Sequence, residues 1–173
     1  MSELPNSFQK SVSHVSGFTL IEFIIVIIIL GILSVVALPR ITNNSFDERG
    51  FHDSVKSVFQ HARHIAVASR RFVCVDVNVE DGIISLTRDE ALPEGKTLIT
   101  CNSTLALLIP EPKCALTNQI CVPKGVFIGG TSSLIFDPLG RLVNAPDSMA
   151  PAANITITNQ PDIMVVPETG YVE

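Results

Sequence analysis

Glu22 is the one strongly polar side chain between Phe18 and Leu38, and a carboxylate set so deep in an apolar run invites an amine. An ionisable group facing hydrocarbon costs about 2.5–3.5 kcal/mol at mid-bilayer and less near an end, so it seeks a partner. Phe18 lies four residues before it, one helical turn away, at the end of a helix where negative charge is favoured by the dipole. Four cysteines, Cys74, Cys101, Cys114 and Cys121, all follow the apolar run, and none forms a C-x-x-C pair. That pattern speaks against a zinc or dithiol redox site and for an exported, oxidised domain. Three pairings are open. Spacing favours Cys114 with Cys121 as a short loop staple and Cys74 with Cys101 by elimination; the competing reading is buried reduced thiols.

Other reactive side chains point to less. His61 and His64, with His52 or Asp53 nearby, have the chemistry of metal ligands, but their positions suit solvated helix residues better, and no metal is expected. Arg63, Arg70 and Arg71 form a basic strip without the interleaved aromatics that stack bases, which reads as a solvated face. Ser132 and Ser133 follow a glycine pair without a G-x-S-x-G elbow or an evident base, so no enzyme, cofactor or small-molecule substrate is expected. Asn102-Ser103-Thr104 and Asn154-Ile155-Thr156 match the glycosylation pattern by chance. The net charge is −5, against a broad basic surface, and no nucleic-acid partner is expected.

The elements that must hold Glu22 come next. As a helix rising ~1.5 Å per residue, Phe18 to Leu38 spans about 30 Å, the thickness of a bilayer core. In 173 residues, 46% of them apolar, there is room for that segment and one modest globular domain. A polar leader, Met1 to Gly17, precedes the apolar run, the reverse of an ordinary secretory signal. The alternative is a signal-peptidase cut after Ala37, where Val35 and Ala37 have suitable offsets, releasing a chain that starts at Leu38. It would leave Glu22 and the leader without a role.

Gly17-Phe18-Thr19-Leu20-Ile21-Glu22, followed by the apolar run and Pro39, resembles the signal of type IV prepilins and pseudopilins. The resemblance implies a cut by prepilin peptidase between Gly17 and Phe18, N-methylation of Phe18, and a role for Glu22 in assembly, paired with the amino terminus of a neighbouring subunit. A glycine before the scissile bond has no Cβ to obstruct a close approach to an active site. Pro39 corresponds to a proline common in pilins and is expected to kink the helix rather than end it. Family leaders usually end in a basic cluster; here Lys10 is the one basic leader residue, so the orientation, leader in the cytoplasm and domain outside, rests on the resemblance and the cysteines.

Beyond the polar stretch from Ile41 to Gly50, apolar residues recur at Phe51, Val55, Val58, Phe59, Ala62, Ile65 and Ala66, predicting an amphipathic helix that continues the first, with Gly50 and Asn43-Asn44-Ser45 as a softer joint. After Arg71 the period becomes two: Val73, Val75, Val77 and Val79 share one strand face, and Asp81-Gly82 turns the chain into Ile83 to Arg88. Further strands are expected at Thr97 to Cys101, Leu105 to Ile109, Val126 to Ile128, Leu134 to Phe136, Arg141 to Val143, Asn154 to Thr158 and Ile163 to Val166. The expected fold class is therefore α+β: a long helix packed on a carboxy-terminal antiparallel β domain, which is also the pilin architecture. The segments are a leader at 1–17, a transmembrane helix at 18–38, its amphipathic continuation at 39–70 and a β-rich periplasmic domain at 71–173.

Phe136-Asp137-Pro138-Leu139-Gly140-Arg141 and Thr169-Gly170-Tyr171-Val172 are similar to patterns in minor pilins and the H-type pseudopilins of type II secretion. The cysteines and the Glu168-Thr169-Gly170-Tyr171-Val172 ending favour a minor pilin of the mannose-sensitive haemagglutinin type. The implied partners are prepilin peptidase, a major pilin, other minor pilins and inner-membrane lipid. The implied location is the inner membrane with a periplasmic domain, then the cell-surface pilus. A pseudopilin in a secretion machine and a surface ligand-binding module, an adhesin or DNA binder, are the alternatives.

Overall fold

A helix with almost no polar side chains begins the described structure, and a second, two-faced helix begins the domain that follows. The computed structural model describes residues 19–41, 45–107 and 114–173, the side chains of 35–41 excepted. Contacts divide the chain into two units, Met1–Thr42 and Asn43–Glu173. The first unit contains α1, Leu20–Ile41. Leu20, Ile21, Phe23 and the Ile, Val and Leu side chains up to Leu33 are all exposed, on every side of the helix. Ser34 disposes of its hydroxyl by donating to the Leu30 carbonyl at 2.7 Å, a bond that keeps a serine tolerable in apolar surroundings. Among the described residues, no helix is long and apolar enough to cross a membrane; the described side chains of α1 stop at Ser34.

In the second unit, α2 spans Ser45–Ser69 and buries Phe51, Val55, Val58, Phe59, Ala62 and Ala66. Gly50, expected at a joint, lies inside this helix. It ends in a Schellman pair: Arg71 N–H donates to the Ala66 carbonyl and Arg70 N–H to that of Val67, with Arg70 at φ +53°. Glycine usually occupies such a position.

All strand pairings are antiparallel. β1 (Val73–Asn78) lies between β2 (Ile83–Asp89) and β6 (Ser133–Phe136), while β2 carries β3 (Cys101–Thr104) and β4 (Gln119–Cys121) at opposite ends of its other edge. A second sheet has the order β10 (Ile163–Val165), β9 (Ala153–Ile157), β5 (Ile128–Gly130), and β7 (Val143–Ala145) pairs with β8 (Ser148–Met149). The register sets Val73, Val75 and Val77 opposite Arg88, Leu86 and Ile84. The apolar members of this face join the buried side of α2 and Leu134, Phe136, Ile155, Ile163 and Val165 in one core. Helix and antiparallel sheets together make the fold α+β.

Several expected strands shift, for identifiable reasons. Thr97 to Thr100 is loop, because the buried Asp89 carboxylate takes the Thr100 N–H at 2.9 Å and binds Lys96, so the strand starts at Cys101. Leu105 to Leu107 is not a strand, and its remaining expected span lies outside the described residues. The β5 strand starts only at Ile128, since the Phe127 N–H goes to the Thr158 hydroxyl. Arg141 is held in a loop by Asp137, which delays β7 to Val143. Val79 leaves the strand at an exposed turn. Neither β4 nor β8 was expected: they are three and two residues long, too short for a periodic pattern to register.

Candidate functional site

Glu22 sits in the first turn of α1. The helix is opened by Thr19, whose hydroxyl accepts the Glu22 N–H at 3.3 Å while its carbonyl accepts the Phe23 N–H at 3.2 Å. Thr19 is thus the N-cap, and Glu22 occupies the third helical position, where a carboxylate interacts favourably with the unpaired N–H groups of the helix start. The Thr-x-x-Glu spacing was a readable sign of this cap. Gly17 and Phe18 lie outside the described residues. Pro39 falls within α1, which runs on to Ile41, so it does not terminate the helix.

In the second unit the two motif segments, separated in sequence, meet. The buried Asp137 accepts the N–H groups of Leu139 at 2.9 Å and Arg141 at 2.8 Å through Oδ1, and the Arg141 guanidinium through Oδ2 at 2.7–2.8 Å. That closes the loop and presents Leu139 to solvent. The tail turn is closed by Gly170 N–H to the Val166 carbonyl at 2.7 Å and Val166 N–H to that of Tyr171 at 2.9 Å. Val172 is buried, Tyr171 exposed. Arg63 of α2 donates through Nε to the Thr169 carbonyl at 2.8 Å. Loop, tail and helix thus meet at one hydrogen-bonded junction.

Both predicted disulfides are formed. Cys74–Cys101 ties β1 to β3 across β2, and Cys114–Cys121 staples the loop before β4; the Cα separations are 6.1 and 5.8 Å. Among the described residues, no three metal-ligating side chains gather, and His52 Nδ1 lies 3.3 Å from Asp53.

Two structural anchors escaped the sequence reading. Glu48, buried in the first turn of α2, accepts from Asn159 Nδ2 at 3.1 Å. Asp89 binds Lys96 and the Ala91 and Thr100 N–H groups. Burial pushes the Asp89 carboxyl up, but those hydrogen bonds and the Lys96 charge outweigh it, leaving its pKa below the ordinary carboxylate value. Arg88, which the sequence reading also passed over, sits on the core-side face of β2, with no sequence sign beyond its alternation with Ile84 and Leu86.

Residues 12–38 match the model of the prokaryotic N-terminal methylation motif. The competence protein ComGC of Halalkalibacterium halodurans is 30% identical over 102 residues, covering 57% of this chain and 97% of that protein. The chain belongs to the type IV pilin family. Pilins and pseudopilins are structural subunits, and the motif match places Glu22 of this pilin-family chain inside the family signal. Among solved structures, the minor pseudopilin EpsH from the type 2 secretion system of Vibrio cholerae aligns at a TM-score of 0.48 and 12% identity over 73% of this chain and 94% of that one. The type IV minor pilin FimU of Pseudomonas aeruginosa aligns at 0.48 and 14%, over 75% and 89%.

Proposed function

We propose that this pilin-family chain is a minor type IV pilin, a non-enzymatic subunit stored in the inner membrane and inserted from there into a pilus, where it contributes to initiation, assembly or adhesion. Prepilin peptidase cuts between Gly17 and Phe18, and Phe18 becomes the N-methylated first residue. The observation that carries this reading is α1 itself: apolar on every side, capped at Thr19, with Glu22 in its first turn. A helix apolar all round needs lipid or other apolar helices around it. Extended through Val35 to Leu38 by sequence, it has the length to span a bilayer core. Glu22 then stands one turn from the amine that the cut creates, able to pair with the amino terminus of a neighbouring subunit, while Pro39 bends the helix beyond the membrane. Residues 71–173 form the periplasmic domain.

Intact-mass analysis of the mature chain tests this: the expected amino terminus is N-methylated Phe18, and a start at Leu38 would overturn it. A pseudopilin of a secretion machine is the second reading, since the two motif segments that converge on Arg63 are similar to patterns in both minor pilins and pseudopilins. Recovery of the chain in sheared surface filaments supports the pilus. A block in protein export on its deletion, with filaments intact, supports the secretion machine.

A further inference from the structure

Arg88 occupies a position where the sheet would ordinarily place an apolar side chain. It follows Ile84 and Leu86 on the face of β2 that meets Val73, Val75 and Val77, and it does so where α2 has just ended. Arg71, two residues past α2, reaches the same place. Ser69, Arg71, Arg88 and Glu90 line a cleft of about 440 Å³. Arg71 and Arg88 both line it, and one nitrogen of each, Arg71 Nη1 and Arg88 Nε, is enclosed with no hydrogen-bond partner among the described residues. A buried donor on a charged group left unmatched costs more than the about 1–3 kcal/mol of a neutral one. Two arginines lining one cleft make it a cationic site suited to an acceptor.

From this geometry we infer that the Arg71–Arg88 cleft receives a single carboxylate, supplied by an acidic side chain of a neighbouring subunit. Guanidinium groups offer planar forks of N–H donors that match a carboxylate's two oxygens. The occupant is a monoanion on a short stem rather than a nucleic-acid backbone. Glu90 lines the same cleft, α2 brings its negative dipole end beside it, and the chain carries a net charge of −5. All three oppose a polyanion, whereas one carboxylate between two guanidinium groups is still favoured. The inference rests on the proposed subunit role for the source of the carboxylate, but not for the site itself.

Two experiments separate these levels. In the first, the ¹⁵N-labelled full chain in uncharged micelles is titrated with sodium acetate, sodium chloride at equal ionic strength, and inorganic phosphate. The Arg88 Nε–H resonance is expected to move saturably with acetate and not with chloride. Arg71→Lys, which keeps the charge but not the fork, should abolish saturation without lowering the thermal midpoint. Equal responses to acetate and chloride, an unaltered curve in Arg71→Lys, or tighter saturation by phosphate than by acetate would each overturn the carboxylate site. In the second, R71Q/R88Q in cells should still be cut before Phe18 but fall about tenfold or more in the sheared-filament fraction, the loss expected from about 1.4 kcal/mol or more of binding. Wild-type recovery of that variant would overturn the subunit contact. Absence of the wild-type chain from filaments would instead count against the pilus role and leave the titration to decide the cleft.

Discussion

A Cβ placed on Gly170 would lie 1.9 Å from the carbonyl oxygen of Gly140. The two glycines come from the two motif segments, both have left-handed backbone, at φ +60° and +82°, and both lie against Arg63 of α2. No shift of a flexible side chain can relieve a clash with backbone. Gly170→Ala is therefore expected to destabilise the domain by about 2–4 kcal/mol, combining overpacking with left-handed strain. Thermal unfolding of the detergent-solubilised chain measures this, and a midpoint equal to wild type would contradict the close approach.

Arg70 makes the opposite case. It holds the left-handed position after α2, where an L side chain costs roughly 1–2 kcal/mol that glycine avoids, less glycine's greater loss of chain entropy. Arg70→Gly should leave stability unchanged or raise it by up to about 1 kcal/mol, read from the same unfolding curves.

Asp89 gives the domain an acid-sensitive lock. Its folded pKa is below the ordinary carboxylate value, so its contribution is complete above about pH 4 and is lost as pH falls through the lower, folded value. Asp89→Asn should be destabilised at pH 7, where Lys96 loses its partner. The gap to wild type should close on acidification below about pH 4. A gap constant from pH 7 to pH 2 would show that the carboxylate charge contributes nothing.

The two disulfides should differ in worth. Cys74–Cys101 closes a separation of 27 residues and Cys114–Cys121 one of 7. By loop entropy, the longer closure contributes about 1 kcal/mol more. Paired serine substitutions, C74S/C101S against C114S/C121S, compared by chemical denaturation, would give the order; equal losses would mean that strain or residual structure dominates.

The elements most legible in the sequence were those with long, uniform patterns. The apolar run that became α1, the 3.6-residue spacing of Phe51, Val55, Val58, Phe59, Ala62 and Ala66, and the valine alternation of β1 with the Asp81-Gly82 turn all report local geometry directly. The disulfide partners were also reachable, because four cysteines leave few choices. Strand starts were less legible. Asp89, Asp137 and Thr158 each capture a backbone N–H that a strand would have used, and such capture depends on which side chains are buried together.

By itself, then, the sequence determined the family signal at Gly17 to Glu22, the apolar helix and the two-faced helix after it, since each is written in neighbouring residues. Only the tertiary structure decided that Gly140 meets Gly170 under Arg63 and that Arg71 and Arg88 share one cleft. Those contacts join residues far apart in the chain, and their energies depend on burial and approach distances that no local spacing encodes. Glu22 belongs to the first group, because its place in the capped opening turn of α1 is set by its neighbours Thr19 to Phe23.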